Sequence, residues 1–272
     1  MPPGQPAPES GGWACPAIMQ LMTTPLSTAQ VDRLGLRLRT SVEISEADLA
    51  SLQAFRAEHE EALVNVQTRI ETALPGIDQT ARIKTIQTLH DKLRRQPTKL
   101  SRIQDIAGVR IVRDMDLNDQ DALVRALTIE FPGARVIDRR ASPSFGYRAV
   151  HVVVRVGRCL CEIQVRTSQQ HLWAEIVERL ADRWGRQIRY GGPPDDRSKK
   201  IQNTTRQQFW ELVVGVSDTV HGIEEVAANQ NFGVDAGEAP EGVDRVELEE
   251  VRQSLREALA GLVEFLDRSG EL

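Results

Sequence analysis

The spacing of apolar residues along the chain predicts a series of helices and strands. Between residues 45 and 74, apolar side chains recur at the spacing of one helix face, with Ser45 as a suitable N-cap and Pro75-Gly76 as a stop signal. A second helix is predicted over residues 83–95. The pattern therefore begins with helices, and it leaves the segment before Ser45 poorly ordered, with at most a short ordered segment near Val31–Leu38.

The middle of the chain alternates between strand-like and helical patterns, as α/β domains do. Strands are predicted at residues 106–113, 134–138, 146–156 and 158–166. Further helices are predicted at residues 119–130, 168–186, 197–228 and 243–268. We therefore expect a poorly ordered tail over residues 1–45, one domain over 46–228, a linker over 229–242 and a C-terminal helix over 243–272.

The composition excludes several classes of protein. With 272 residues, 40% of them hydrophobic, the chain is long enough to bury a substantial core. Its apolar runs are all shorter than the roughly 18 residues of a membrane helix, and the N-terminus lacks a signal-peptide pattern. Cys159 and Cys161 share one face of a predicted strand, where buried thiols are expected. The cytoplasm is the expected compartment.

Positive charge is concentrated in one stretch of the chain. Residues 82–113 contain nine Lys or Arg and two Asp, a local charge of +7 in a chain whose net charge is −5. A basic block inside an acidic protein indicates an anionic ligand bound at one place rather than general coating of nucleic acid.

Two groups of polar residues lie within this basic block. On a helix, Lys84, Thr88 and Lys92 would share one face, which suits a polyphosphate, although a solvated basic face is the alternative. Asp105 precedes an apolar strand, and Arg110 lies within it. Partly buried charges need partners, so these two residues either pair with each other or face a ligand.

A third group lies at the start of the predicted hairpin of residues 146–166. Strand alternation places Tyr147 and His151 on one face and Arg148 on the other. The ring of Tyr147, one of two tyrosines in the chain, suits stacking on a purine and equally suits packing in the core.

A fourth group follows on the second strand of that hairpin. Glu162, Gln164 and Arg166 alternate with apolar residues and so share a polar face, which either binds a ligand or faces solvent. Together with Asp105, the four groups provide two carboxylates, several cations and an aromatic ring. This set suits metal-assisted phosphoryl transfer, because Mg²⁺ is commonly held by one or two carboxylates plus substrate phosphates.

These segments, in this order, resemble the synthetase domain of the RelA/SpoT family, in particular its small alarmone synthetases and their toxin-type relatives. The resemblance covers roughly residues 46–190 and rests on RIKTIQTLHDK, DIAGVRI, GYRAVH, EIQVRT and WAE. It implies a nucleotidyltransferase-like α/β (α+β) fold, with a mixed β-sheet flanked by helices and helical additions at both ends. It also implies a small enzyme with a single synthetase domain.

The resemblance implies a role for each matching residue. The ATP phosphates would be bound by Arg82, Lys84, Thr88 and Lys92. The Mg²⁺ ligands would be Asp105 and Glu162, of which Glu162 would also act near the acceptor 3′-hydroxyl as a general base. The acceptor would be bound by Tyr147, Arg148 and His151, with the tyrosine ring stacked on the base. The remaining catalytic positions would be Arg110, Gln164 and Arg166.

The implied reaction transfers the β,γ-diphosphate of ATP to the 3′-hydroxyl of GDP or GTP and makes (p)ppGpp. The acceptor stays open, because Pro143 and Phe145 stand where the family carries Lys and Asn, and Val177-Glu178 replaces Glu-His. The alternative is a toxin-type member that makes adenosine alarmones or pyrophosphorylates the tRNA 3′ end. Retention of both carboxylates argues against an inactive nucleotide sensor.

The expected partners follow from these two hypotheses. ATP is the donor in both, and the acceptor is a guanosine nucleotide or tRNA. A tRNA acceptor would need a basic surface, for which the candidates are Arg139, Arg140, Arg186 and Arg189. A toxin-type member would have an antitoxin partner. The C-terminal helix would either join copies of the chain into a homo-oligomer or pack on its own domain, and no membrane partner is expected.

Overall fold

Helices make up most of the chain in the computed structural model, which describes residues 25–201, 203–235 and 245–268. The α-helices are α1 (Thr28–Thr40), α2 (Glu46–Ala73), α3 (Ile86–Arg95), α4 (Leu117–Glu130), α5 (Ser168–Trp184), α6 (Arg206–Asp235) and α7 (Arg245–Arg268). Two 3₁₀ turns, Leu100–Arg102 and Arg186–Tyr190, connect them to other elements.

Five strands form the central mixed sheet. They are β1 (Gln79–Ile83), β2 (Ala107–Arg113), β3 (Arg135–Asp138), β4 (Val150–Val156) and β5 (Cys159–Thr167), in the spatial order β1-β2-β5-β4-β3. The β2–β5 pair is parallel and the other three pairs are antiparallel. A separate small hairpin consists of β6 (Lys200–Ile201) and β7 (Thr204–Thr205). The mixed sheet flanked by helices confirms the predicted fold class.

The sheet buries one face against α2 and α4, because alternate residues of its central strands are apolar. The main core on this side combines Val109, Val152 and Ile163 of the sheet with Val66 of α2 and Leu127 of α4. The thiols of Cys159 and Cys161 are buried in the same core, as predicted, and burial raises their pKa to about 11 and about 12. The opposite face of the sheet is therefore left for the polar residues.

The N-terminal segment is more ordered than the apolar pattern predicted. Helix α1 begins after the N-cap Ser27, whose side chain accepts a hydrogen bond from the Gln30 amide in a capping box. Its buried face, including Leu34 and Leu38, packs against α2, α3 and the first 3₁₀ turn. The expected poorly ordered tail over residues 1–45 is thus wrong for Thr28–Thr40, and its first 24 residues lie outside the described part of the chain.

A strand and a turn replace the first residues of the helix that was predicted over 83–95. Strand β1 was missed because it is only five residues long and is mostly polar and exposed. It is an edge strand that pairs with β2. Helix α3 begins after Thr85, whose side chain accepts a hydrogen bond from the Thr88 amide. Lys84 therefore lies in the turn before the helix, and Lys84, Thr88 and Lys92 do not share one helix face.

The predicted C-terminal helices are present with altered bounds. The helix predicted from residue 197 begins at Arg206, after the β6–β7 hairpin, and extends to Asp235 through the first part of the expected linker. Helix α7 packs on α5 of its own domain, with Leu259, Val263 and Leu266 buried in a shared cluster. In the part of the chain that the structure describes, we find no helix with the length and apolar character that crossing a bilayer requires.

Candidate active site

The polar face of the sheet forms the floor of the candidate active site. In the sheet register, Gly108 of β2 lies beside Glu162 of β5, and Arg110 lies beside Gln164. Gln164 in turn lies beside His151 of β4. Since side chains alternate between the two faces, these polar residues project to the face opposite the main core. The period-two pattern of β5 thus predicted the polar face of this strand correctly.

Five side chains on this face form a closed ring of hydrogen bonds. His151 Nδ1 lies 3.1 Å from Glu162 Oε1, and His151 Nε2 lies 2.9 Å from the Tyr147 hydroxyl. Arg166 donates to the Tyr147 hydroxyl and to Gln164 Oε1, each at 2.9 Å. Gln164 Nε2 donates to Glu162 Oε2 at 2.8 Å and closes the ring.

The direction of each bond in this ring follows from the donors available. Arg166 can only donate, and an ionised Glu162 can only accept. With Tyr147 donating to Nε2, a neutral His151 carries its proton on Nδ1 and donates it to Glu162. Two chains of donors thus run from the guanidinium to the carboxylate, one through Tyr147 and His151 and the other through Gln164. The ring therefore fixes both oxygens of Glu162.

The electrostatics of the ring keep Glu162 ionised. Burial by itself would raise the pKa of Glu162, but the hydrogen bonds from His151 and Gln164 outweigh burial and hold that pKa below its ordinary value. Burial raises the pKa of the Tyr147 hydroxyl, although the charge of Arg166 opposes this shift. Glu162 is therefore a carboxylate at neutral pH, and Tyr147 is a neutral phenol.

The second carboxylate, Asp105, lies between two lysines. Its oxygens are 2.8 Å from Lys92 Nζ and 3.2 Å from Lys84 Nζ. Burial would raise the pKa of Asp105, but the charges of Lys84 and Lys92 and their hydrogen bonds lower it. Asp105 and Arg110 were predicted either to pair with each other or to face a ligand; the acid pairs with the two lysines instead.

Two arginines at the same cleft have no partner in the described part of the chain. Arg82 on β1 is exposed and Arg110 on β2 is half-buried, and neither makes a hydrogen bond or ion pair there. Burial, and then the nearby charge of Arg166, lowers the pKa of Arg110. Unpaired guanidinium groups near a like charge are favourably placed to bind an anion.

Four aromatic residues line the cleft with different exposure, and Trp173 is the buried one. Tyr147 is half-buried, and the guanidinium of Arg166 lies over its ring, 5.0 Å from the centre. Phe145 and Tyr190 are 52% and 49% exposed, which leaves ring surface free for a ligand. The guanidinium of Arg95 lies 5.0 Å from the centre of the Tyr190 ring. The mouth of the cleft is thus aromatic and basic, while its floor is polar.

The structure brings most of the predicted site residues into one cleft. The residues that line it directly are Arg82, Asp105, Arg110, Tyr147, His151, Glu162, Gln164 and Arg166. Lys84 and Lys92 reach the cleft through Asp105. The expectation of a shared polar site therefore agrees with the geometry, although the role of each residue stays a prediction.

Two other predicted site residues, Thr88 and Arg148, neither line the cleft nor bind Asp105. The Thr88 hydroxyl donates to the Thr85 carbonyl oxygen at 2.9 Å in the first turn of α3. Arg148 is buried and binds Asp218 at 2.6 Å, Ser217 at 3.2 Å and the Arg140 carbonyl oxygen. Arg148 thus projects toward α6 and not into the cleft. The reason is that side chains in an extended segment alternate between two faces, and Arg148 lies on the face opposite to that of Tyr147 and His151.

The sequence pattern missed Tyr190 and Ser217, although it had named Arg189 as part of a candidate basic surface. Tyr190 and Arg189 line the cleft, and the Ser217 hydroxyl on α6 donates to the Gly146 carbonyl oxygen at 2.5 Å. The Tyr190-Gly191-Gly192 run was a visible signal for a turn near a ligand. Nothing in the local pattern of α6 marks Ser217, because its partner is 71 residues away.

Comparison with known proteins adds a family to this geometry. Residues 81–182 match the family described as "Region found in RelA / SpoT proteins". A segment of 200 residues is 41% identical to an uncharacterized protein of Mycobacterium tuberculosis and covers 71% of this chain and 72% of that protein. The chain belongs to the RelA/SpoT family. The resemblance identified from the motifs is thereby confirmed, and so is the class of enzyme, a diphosphokinase.

Other RelA/SpoT relatives match over shorter segments. The GTP pyrophosphokinase YjbM of Bacillus subtilis is 31% identical over 116 residues, which are 37% of this chain and 54% of that protein. A probable chloroplastic GTP diphosphokinase of Arabidopsis thaliana is 34% identical over 99 residues, which are 35% of this chain and 14% of that protein. Both matches cover little more than a third of this chain.

The fold has a counterpart among solved structures of the family. The crystal structure of the small alarmone synthetase 1 from Bacillus subtilis superposes with a TM-score of 0.51. It covers 68% of this chain and 98% of that protein, at 19% sequence identity. This comparison supports the sheet-and-helix architecture of the chain.

Proposed function

We propose that the protein transfers the β,γ-diphosphate of ATP to the 3′-hydroxyl of a guanosine nucleotide, GDP or GTP, and makes (p)ppGpp. One observation carries the proposal. An ionised Glu162, fixed by a ring of hydrogen bonds, shares a cleft with Asp105 and with the unpaired guanidinium groups of Arg82 and Arg110. This arrangement suits the transfer of a highly charged group to a hydroxyl.

The donor phosphates would bind at the basic side of the cleft. Arg82 and Arg110 have no partner in the described part of the chain, so they can bind phosphate oxygens without breaking an ion pair. Lys84 and Lys92 hold Asp105 before the nucleotide binds and would then share their charge with the phosphates. Cations placed where negative charge develops stabilise the transition state of phosphoryl transfer.

The two carboxylates fit a magnesium ion. Asp105 and Glu162 provide hard oxygen ligands on one cleft, and Mg²⁺ needs only one or two carboxylates when phosphates complete its shell. When bound, Mg²⁺ would neutralise charge on the phosphates and so favour attack at the β-phosphorus.

Glu162 would orient the acceptor hydroxyl and take up its proton. The 3′-oxygen forms a bond to the β-phosphorus, the bond from that phosphorus to the bridging oxygen breaks, and AMP leaves with the bonding electrons. The lowered pKa of Glu162 keeps it ionised and able to accept the hydroxyl hydrogen bond at neutral pH. Arg166 and His151 hold the carboxylate in place by way of the ring, which suits a positioned general base.

A second candidate acceptor is favoured by the mouth of the cleft. Phe145 and Tyr190 offer exposed rings, and Phe145 provides no side-chain hydrogen bond with which to recognise guanine. Stacking on aromatic rings tolerates any base. The alternative acceptor is therefore an adenosine nucleotide or the 3′ end of tRNA. Exposed Arg186, at the start of the 3₁₀ turn that ends at Tyr190, would be a contact for phosphates.

A transfer assay separates these acceptors. The full chain would be incubated with γ-labelled ATP, Mg²⁺ and, in separate reactions, GDP, GTP, AMP, ADP or bulk tRNA. Label on GDP or GTP supports the proposal, and label on tRNA or on adenosine nucleotides alone overturns it in favour of the second candidate. Asp105→Ala should abolish transfer, whereas Asp78→Ala, a matched loss of an exposed carboxylate, should leave it unchanged.

The partners beyond the nucleotides stay predictions. An antitoxin is expected only if the tRNA or adenosine result is obtained. For self-association, the packing of α7 on α5 assigns most of its apolar face to its own domain. Sedimentation of the full chain would give the oligomeric state directly.

A further inference from the structure

The segment that carries Phe145 and Tyr147 is a tight turn with an unfavourable residue in it. Ser144 and Tyr147 exchange two backbone hydrogen bonds, at 3.2 and 3.0 Å, across the pair Phe145-Gly146. Both central residues have positive φ, +54° for Phe145 and +84° for Gly146. This is the pattern of a type I′ turn, for which Asn-Gly is a preferred pair. A bulky residue with positive φ is an outlier, so the surroundings must hold it there.

Three neighbouring elements hold the turn. The Ser217 hydroxyl on α6 donates to the Gly146 carbonyl oxygen at 2.5 Å. Gly146 also lies so close to Trp173 of α5 that a Cβ atom added to it would be 2.7 Å from the indole ring. The Phe145 ring packs against Gly191, which follows the second 3₁₀ turn. Of these three contacts, the Ser217 contact is a directional hydrogen bond, whereas the other two are van der Waals contacts.

Arg148, the residue after Tyr147, also forms hydrogen bonds with this part of α6. Its Nε donates to the Ser217 hydroxyl at 3.2 Å, and its terminal nitrogen lies 2.6 Å from Asp218. Ser217 is 3% exposed, so both of its hydrogen bonds are protected from water. One hydroxyl on α6 thus joins the turn before Tyr147 to the arginine after it.

We propose that Ser217 is a positioning residue, which holds the strained Phe145-Gly146 turn so that Phe145 and Tyr147 face the acceptor. Ser217 does not line the cleft and acts through the turn. The effect on the acceptor rests on the proposed function. The stabilisation by Ser217 of a turn that Phe145 strains does not depend on any activity.

The test is a double-mutant cycle with Ser217→Ala and Phe145→Asn. Asn accepts positive φ more easily than Phe, so Phe145→Asn should raise the melting temperature by a few degrees. Ser217→Ala should lower it, and the decrease should be larger in the Phe145→Asn background, because the strained Phe145 turn can relax once the hydrogen bond is lost and so recovers part of the loss. Thr219→Ala, an exposed hydroxyl two residues along α6, is the matched control and should show no such coupling.

The kinetic arm uses the same variants with the acceptor that the transfer assay identifies. Ser217→Ala should raise KM for the acceptor about five- to tenfold, the loss expected for one hydrogen bond, and leave KM for ATP unchanged. Equal changes in both KM values, or melting temperatures that add without coupling, would overturn the proposal. If the wild-type chain transfers nothing, the proposed function fails, and the melting-temperature cycle still decides whether Ser217 holds the turn.

Discussion

The two faces of the central sheet are built from the same strands and behave differently. On β5, Cys161, Ile163 and Val165 are fully buried against α2 and α4. The residues between them, Glu162 and Gln164, belong to the ring of five hydrogen-bonded side chains on the other face. The apolar face is stabilised by close packing of side chains. The polar face is stabilised by directional hydrogen bonds between polar and charged side chains. Neighbouring residues should therefore report separately on stability and on activity.

The largest expected effect is on the polar face. Glu162→Gln keeps the size of the side chain and removes its charge, so the activity should fall about 10²–10⁴-fold through loss of the positioned base. The melting temperature should change less than in Ile163→Ala, because the amide still has an oxygen to accept one of the two hydrogen bonds. Steady-state kinetics and thermal unfolding of the same preparation check both statements. Retained activity would remove Glu162 from the proposed mechanism.

The next effect is on the apolar face, one residue further along. Ile163→Ala should lower the free energy of unfolding by about 2–5 kcal/mol, since Ile163 is fully buried and leaves a cavity. The turnover number of the folded fraction should stay within about twofold of wild type, because the backbone of β5 is still paired on both sides. Denaturant unfolding and active-site titration measure the two quantities. A large loss of turnover would mean that the faces are coupled.

A smaller effect is expected at Arg110, which faces the cleft without a partner in the described residues. Arg110→Ala should reduce kcat/KM about 10–100-fold, the value of charge-assisted hydrogen bonds to a phosphate. Stability should not fall, because burial and the charge of Arg166 already disfavour this guanidinium, as its lowered pKa indicates. Arg113→Ala, an exposed arginine on the same strand, is the control. A clear drop in melting temperature would contradict this reading of Arg110.

The smallest effect concerns Glu224, which joins α6 to the end of β5. Thr167 and Gln170 both donate hydrogen bonds to it, and burial raises its pKa above the ordinary value of 4.5 in spite of these bonds. The folded state therefore binds this proton more tightly than the unfolded state does. Its contribution to stability is complete below pH 4.5 and is lost as the pH rises through the raised value.

Glu224→Gln removes this titration. The melting temperature of the variant relative to wild type should thus increase between about pH 4.5 and the raised pKa, and stay constant above it. Thermal unfolding of both proteins at a series of pH values measures the difference. Glu225→Gln, an exposed acid at the next position, should show no comparable trend. A difference that shrinks with rising pH would mean that the pKa is not raised.

Much of the architecture could be predicted because local patterns were clear. The long helix after Ser45, the apolar strand at β2 and the alternation on β5 were all identified from periodicity, and each has the expected orientation. The failures occurred where the local signal was weak. Strand β1 is short and exposed, and in helix α1 only the short stretch of residues 31–38 carries an apolar signal. Both elements are defined by the elements that they pair with or pack on.

The sequence by itself determined which residues could perform the chemistry. The order of the five motifs and the period-two alternation of β5 predicted that Asp105, Glu162, Gln164 and Arg166 share one site. The tertiary structure decided how they are held. The hydrogen-bond ring, the lysines on Asp105 and the Ser217 contact with the turn join residues that are 2 to 71 positions apart. Periodicity reports only which face a residue occupies, whereas the packing of distant elements selects its partner.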